Sequence, residues 1–138
     1  MDQETRAFFE QYERANSESD ISGIADLYAD SFMFGGPQGV QSVKKDDFLK
    51  VIPKRKEHFK SIGLLESKVI SLDEVSLDSK YVLAKTVWRM SFKKSPDVKM
   101  DTETSATFIL ERKGKTLRIV FQIDHQDLTA RVEELGLA

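Results

Sequence analysis

Apolar positions recur at two different periods along this chain, and the change from one to the other divides it. Over residues 3–15, Ala7, Phe8, Tyr12 and Ala15 fall at helical spacing and Phe9 widens the stripe, which predicts an amphipathic first helix. Residues 16–19 are polar. Asp20 is placed to cap a second helix, with Ile21, Ile24, Leu27 and Tyr28 as its buried face. After Asp30 the period becomes two: Phe32 and Phe34 share one side of a short strand that Gly35, Gly36 and Pro37 bring to an end. Another short strand is expected at 40–43. Residues 44–62 then read as helix with Phe48, Val51, Ile52, Phe59 and Ile62 inward. Pro53 has no amide hydrogen, so it predicts a kink or two helices with Pro53 in the first turn of the second, and Gly63 is the natural stop.

From Leu64 onward the signals are those of strands. Turns at 77–80, 94–97 and 113–115 separate four long segments, roughly 66–76, 81–92, 100–112 and 116–125, with connections short enough for an antiparallel meander. Leu128, Val132 and Leu135 before Gly136 predict a short last helix, capped by Asp127. Helices first and a curled antiparallel sheet after them make an α+β chain, read as a single domain over 1–138.

Alternation also assigns faces. Val82, Ala84, Thr86, Trp88, Met90 and Phe92 are mostly apolar and are expected to face the helices, as are Ala106, Phe108 and Leu110 on the next strand. On the last strand the inner set is Leu117, Ile119, Phe121 and Ile123. Carrying the alternation on puts His125 inside and Arg118, Gln122 and Asp124 outside; a bulge near Gln122 would reverse Asp124 and His125. The outer face, with Lys85, Val87, Arg89, Thr107, Ile109, Gln122 and Asp124, suits either plain solvation or a homodimer in which Arg89 meets Asp124 across a two-fold axis. A homodimer is expected.

Composition narrows the chemistry. With 138 residues, 40% of them hydrophobic and 32% charged, the chain is long enough to bury a core without cross-links, and having no cysteine it has neither disulfides nor thiolate chemistry. The basic stretch over 44–60 reads as a solvated helix face, so no nucleic acid is expected. No apolar run approaches the roughly eighteen residues of a membrane helix, and the start Met1-Asp2-Gln3-Glu4 lacks the basic and apolar regions of a secretion signal, so a cytoplasmic protein with no membrane partner is expected. His58 lies in a charged helix without paired-ligand spacing, and no P-loop, dinucleotide fingerprint or serine elbow occurs; no metal or cofactor is expected.

The polar cluster at the end of the last strand is the candidate site. His125 titrates near neutral pH when unperturbed and qualifies as an acid or base at a pocket mouth, its plain alternative being a strand-end histidine bonded to a carbonyl or water. Tyr12, Tyr28, Phe34 and Trp88, with Met90, Phe108 and Phe121 on the inner strand faces, are the expected pocket lining; the same aromatics serve equally well as core.

The order of elements, helix, helix, short strand, helix and four long strands, resembles the NTF2-like superfamily, in particular its SnoaL-like and ketosteroid-isomerase-like members with a cystatin-like fold. The residues that carry the likeness are Ile24-Ala25-Asp26-Leu27-Tyr28-Ala29-Asp30 running into Phe32-Met33-Phe34, the helix around Phe48, and Leu117-Arg118-Ile119 through Asp124-His125-Gln126. The resemblance implies a cone-shaped, curved antiparallel sheet packed against N-terminal helices, an apolar cavity between them, and often a homodimer. Some such proteins isomerise, cyclise, hydroxylate or dehydrate small hydrophobic molecules, and others only bind or scaffold. Tyr12 matches the first-helix tyrosine that steroid-isomerase-like members use as an oxyanion donor, and Asp124 matches a late-strand aspartate of cyclase-like members. Gly35, Gly36, Pro37 and Gln38 stand where the isomerases carry their general base, a departure that argues against that mechanism. The expectation is a pocket for a small hydrophobic or amphipathic molecule, with acid/base chemistry on His125 or Asp124 and Tyr12. Whether there is turnover stays open, and the alternative is a non-catalytic dimerisation or scaffold module.

Overall fold

The structure, a computed structural model, describes residues 3–137; Met1, Asp2 and Ala138, and with them the start and end of the expected domain and the reading of the N-terminus, lie outside it. Helix α1 (Gln3–Ser17) buries Phe8, Phe9 and Ala15 and half-buries Tyr12, as its spacing predicts, whereas Ala7, expected in the same stripe, is exposed and Thr5 is buried. Asp20 caps α2 (Ile21–Ala25), its carboxylate accepting from the Gly23 amide at 3.0 Å. This helix is shorter than the apolar pattern suggests. The Leu27 carbonyl accepts from the Ile119 amide at 2.7 Å, which draws the chain into the sheet, so Tyr28 opens β1 (Tyr28–Gly36) instead of extending a helical face.

A tight hairpin leads to β2 (Gly39–Lys44), and α3 (Lys45–Ser61) follows as one helix with Pro53 inside it. Pro53 lies on the exposed side, where water can serve the carbonyl that its missing amide leaves free, and the helix is not divided in two. Val51, expected inward, is 54% exposed. Gly63 ends the helix at φ +94, and a Cβ there would stand 2.3 Å from the Lys93 carbonyl oxygen. Only glycine fits both the dihedral and the close approach.

The remaining strands are β3 (Leu64–Ser76), β4 (Tyr81–Ser95), β5 (Val98–Lys113) and β6 (Thr116–Asp124), followed by α4 (Leu128–Glu134), which Asp127 caps by accepting from the Ala130 amide. All six strands form a single curved sheet in the order β2-β1-β6-β5-β4-β3, antiparallel throughout except for the parallel pair β1 and β6. Bulges bend it: two in β3, near Leu65 and near Ile70, one in β4 near Lys94, and one in β6, where the pairing steps from Leu110 opposite Ile119 to Ile109 opposite Phe121 and leaves Val120 as the extra residue. In β3 the Glu13 carboxylate, reaching over from α1, accepts from the Val69 amide beside the bulge near Ile70 and ties helix to strand.

The helices cover the concave face. Phe9, Ile24, Phe108, Leu110 and Ile119 are almost wholly buried between the layers, each contributing about 1.5–3 kcal/mol of apolar burial. A smaller cluster of Met90, Phe92 and Val132, joined by Phe59, Ile62 and Leu128, closes the space under α4. Among the described residues no helix is long and apolar enough to cross a membrane.

Candidate functional site

The bulge at Val120 decides what the concave face offers. Before it, Leu117 and Ile119 point inward as the alternation predicts; beyond it the set that points inward is Gln122 and Asp124, while Phe121, Ile123 and His125 turn to the convex face. Direct pairing confirms the faces. Gln122 lies opposite Phe108 and Phe34, both on the concave side, and Phe121 lies opposite Ile109 and the half-exposed Met33. The expected inward His125 is therefore corrected: it is exposed, and its Nε2 sits 2.7 Å from Thr107 Oγ1 on the outer face. Phe121 is corrected likewise and does not line the cavity. Asp124, facing inward, is also out of reach of the outer-face charge pair expected with Arg89.

Between the concave face, α1 and α3 lies an open cavity of about 1100 Å³, just above the roughly 300–1000 Å³ common for small-molecule sites. Tyr12, Tyr28, Phe34, Trp88, Met90 and Phe108, all expected as lining or site residues, border it. The Tyr12 ring stands 5.4 Å from Trp88 and 5.8 Å from Phe108, and Tyr28 packs on Phe32 and Phe48 at 4.7 and 4.8 Å. The Trp88 indole is not a polar handle for a ligand, because its N–H donates to Thr86 Oγ1 at 2.8 Å and that hydroxyl donates on to the Ala106 carbonyl.

A line of hydrogen bonds crosses the cavity wall. Tyr28 donates to Gln122 Oε1 at 2.7 Å, and Gln122 Nε2 donates to Asp124 Oδ1 at 3.1 Å. Since the single phenolic proton of Tyr28 is committed to Gln122, the 3.3 Å contact between the two phenols is a donation from Tyr12 to Tyr28. Every donor in the line thus points toward Asp124. An amide does not pass protons readily, so the line positions Asp124 and does not conduct to it. Asp124 Oδ2 has no hydrogen-bond partner among the described residues, and the small side chain of Ala106, directly opposite on β5, leaves room in front of the carboxyl.

Burial sets the electrostatics. It raises the Asp124 pKa above the ordinary 3.8, against the smaller opposing effects of the Gln122 hydrogen bond and the charges of Arg55 and His125. Burial also raises both phenols, Tyr28 well above the usual tyrosine value, so the two remain protonated donors throughout the neutral range. Among the described residues no cluster of three or more histidines and carboxylates is arranged to hold a metal ion.

Three features of this site lie outside the residues that the sequence singled out for it. Gln122 is the central member of the line although strict alternation turns it outward. Gln126, just past the end of β6, reaches the middle of β5, accepting from the Ser105 amide at 2.6 Å, and borders the cavity. Arg55 lies at the cavity mouth, its guanidinium 5.5 Å from the Phe59 ring centre. The signal for Arg55 was present in the sequence, because 48, 52, 55 and 59 share one helical face and only position 55 is not apolar.

A family model described as NTF2-like protein (DUF6841) matches residues 3–127. No curated protein matches the sequence. Solved structures do: Aln2 from a Streptomyces species (TM-score 0.74, 14% identity, covering 94% of this chain and 93% of that one); an NTF-2 like protein of unknown function from Shewanella oneidensis (0.70, 15%, 90% and 98%); and a ketosteroid isomerase-like protein from Erwinia carotovora atroseptica (0.66, 15%, 87% and 91%). At such identities the likeness is one of fold.

Proposed function

Because the chain belongs to the DUF6841 family of NTF2-like proteins, with the curved sheet and N-terminal helices of that fold, we propose that its cavity binds a small hydrophobic or amphipathic molecule and exchanges a proton with it through Asp124. The observation that carries this reading is a carboxyl of raised pKa whose Oδ2 is unpartnered among the described residues, in a cavity lined also by Phe34, Trp88, Met90 and Phe108, while its Oδ1 is held by Gln122. A desolvated carboxyl is a stronger base than an exposed one and a usable acid closer to neutral pH. Tyr12 and Tyr28, kept protonated by burial, supply the donors that fix Gln122 and so the carboxyl plane. His125, on the far side of the sheet, has no part in this chemistry. The family likeness fits a range of reactions on small apolar molecules, and the proposal assigns the proton-transfer step to Asp124 without naming the substrate.

The test is ligand-dependent stability. A panel of small aromatic carbonyl compounds, screened by thermal unfolding, is expected to contain members that raise Tm in a concentration-dependent way, a ligand at 100 times its Kd adding about 2.7 kcal/mol. Ala106→Phe, which fills the space before Asp124, is expected to abolish that rise. If no compound shifts the native protein, or the rise survives Ala106→Phe, the reading fails.

A second reading rests on the convex face. Met33, Phe121, Ile109 and Leu83 stand in register across β1, β6, β5 and β4, with Ile123 beside them, an apolar row where strict alternation expects a more polar surface. Such a row fits a homodimer formed face to face, with assembly rather than turnover as the working role. Phe121→Asp is then expected to convert a dimer to monomer in sedimentation velocity while leaving the fold intact by circular dichroism; a wild-type monomer at micromolar concentration would eliminate this reading.

A further inference from the structure

The stripe of α3 that faces the cavity is made of Phe48, Ile52, Arg55 and Phe59, spaced four, three and four residues apart. Three of these side chains are apolar and pack on the core; the fourth is a guanidinium. Arg55 forms no ion pair within 4.0 Å and no hydrogen bond among the described residues, and only the face of the Phe59 ring, 5.5 Å away, partners it. The acids around the mouth do not take that role. Glu13 is committed to the Val69 amide and Glu66 lies 3.8 Å from Lys68, while Glu10 and Glu57 are exposed on the rim. Lys56, one residue along, also borders the cavity and is half-buried.

We infer that the molecule taken by this cavity is a small apolar carboxylate, its charged group held by Arg55 at the mouth and its apolar body lying against Phe34, Phe48, Trp88 and Met90. The inference rests on the ligand-binding reading above and narrows it. A guanidinium stacked on an aromatic ring is pre-set for planar, bidentate recognition of a carboxylate. Arg14, Lys60 and Lys68 also border the cavity, Lys68 beside Glu66, but Arg55 alone among these lies on the inward stripe of α3, and a single guanidinium suits a monoanion. Arg55 borders the same cavity as Tyr12, Tyr28, Gln122 and Asp124, and its charge bears on both phenols and on Asp124. A ligand anchored there extends its far end toward Asp124 Oδ2.

The experiment compares 2-naphthylacetate with 2-naphthylacetamide, equal in shape and differing in charge, by titration calorimetry on the full chain and on Arg55→Gln and Arg55→Lys. Position 55 is exposed on the helix surface, and circular dichroism checks that both variants fold. The carboxylate is expected to bind the native protein at least about tenfold more tightly than the amide, Arg55→Gln to bring it down to the amide's affinity, and Arg55→Lys to keep part of the preference. Equal binding of the two compounds, or a preference that survives Arg55→Gln, overturns the carboxylate inference and leaves the apolar cavity reading standing. Binding of neither compound by the native protein overturns this inference and removes support from the cavity reading together.

Discussion

Gln122→Leu is expected to lower stability by about 2–4 kcal/mol, far more than the loss of one surface amide. The side chain is 8% exposed and is bonded at both ends, accepting from Tyr28 and donating to Asp124. Leucine has a similar volume, so little of the cost is packing. What remains is a desolvated carboxyl that has lost its donor and a buried phenol whose remaining acceptor is the Tyr12 hydroxyl at a long 3.3 Å, each loss worth about 1–3 kcal/mol, with the carboxyl discounted because the open cavity lets water reach it. Tyr28→Phe provides the contrast: it removes the donor itself, leaves Gln122 Oε1 free to accept from elsewhere, and is expected to cost about 1 kcal/mol. Urea unfolding at neutral pH with unchanged m-values measures both. A Gln122→Leu cost no greater than that of Tyr28→Phe would mean that the line is not a single unit.

Asp124→Asn acts in the opposite direction. The unfolded chain releases the Asp124 proton near the ordinary 3.8, whereas the folded chain holds it to higher pH because burial disfavours the charge. Between those two points the unfolded state carries fewer protons, so stability falls as pH rises through the window and is level, for this group, above it. The charged groups that bear on Asp124 are Arg55 and His125, and both oppose this rise without cancelling it. Asparagine keeps an oxygen for Gln122 Nε2 and carries no charge. The variant is therefore expected to be more stable than the native protein at neutral pH, by about 1.4 kcal/mol for each tenfold increase that folding makes in the proton affinity of Asp124, and to lose the decline that sets in as pH rises above the ordinary 3.8. Chemical unfolding across that pH range checks it. A gain in stability from removing a group with no structural merit is the mark of a residue retained for chemistry.

Most of the architecture was legible because periodicity reports it directly. The stripe of α1, the Asp20 and Asp127 caps, the stop at Gly63 and the turns between the long strands depend on local rules, and the structure follows them. Leu27 and Tyr28 were misassigned to a helix because apolar residues at 24, 27 and 28 fit a helical face, while the strand they enter is specified by pairing with Ile119, far along the chain. The candidate site was half legible for one reason. Alternation is a counting argument, and a single uncounted residue, Val120, exchanges the two faces for everything that follows. Up to Ile119 the faces were right; beyond it Asp124 and Gln122 traded places with Phe121 and His125. Nothing local marks Val120 as the bulged residue, since Leu-Arg-Ile-Val-Phe is ordinary strand sequence, and the bulge is set by how β6 must meet both β5 and β1. Arg55 was legible in principle, as a charge in an apolar stripe, but a basic helix invites the reading of a solvated face.

The orientation and desolvation of Asp124 are the centre of the functional reading, and the carboxyl carbon reports on both. A carbon-13 titration of the Asp124 side chain by NMR, in protein labelled at aspartate, follows its protonation without relying on any substrate. The expected result is a midpoint clearly above 3.8, moving higher still in Gln122→Leu as the donor that favours the charged form is removed. A midpoint at or below 3.8 that ignores Gln122→Leu would place the carboxyl in water on the convex face and contradict the proton-transfer role assigned to it.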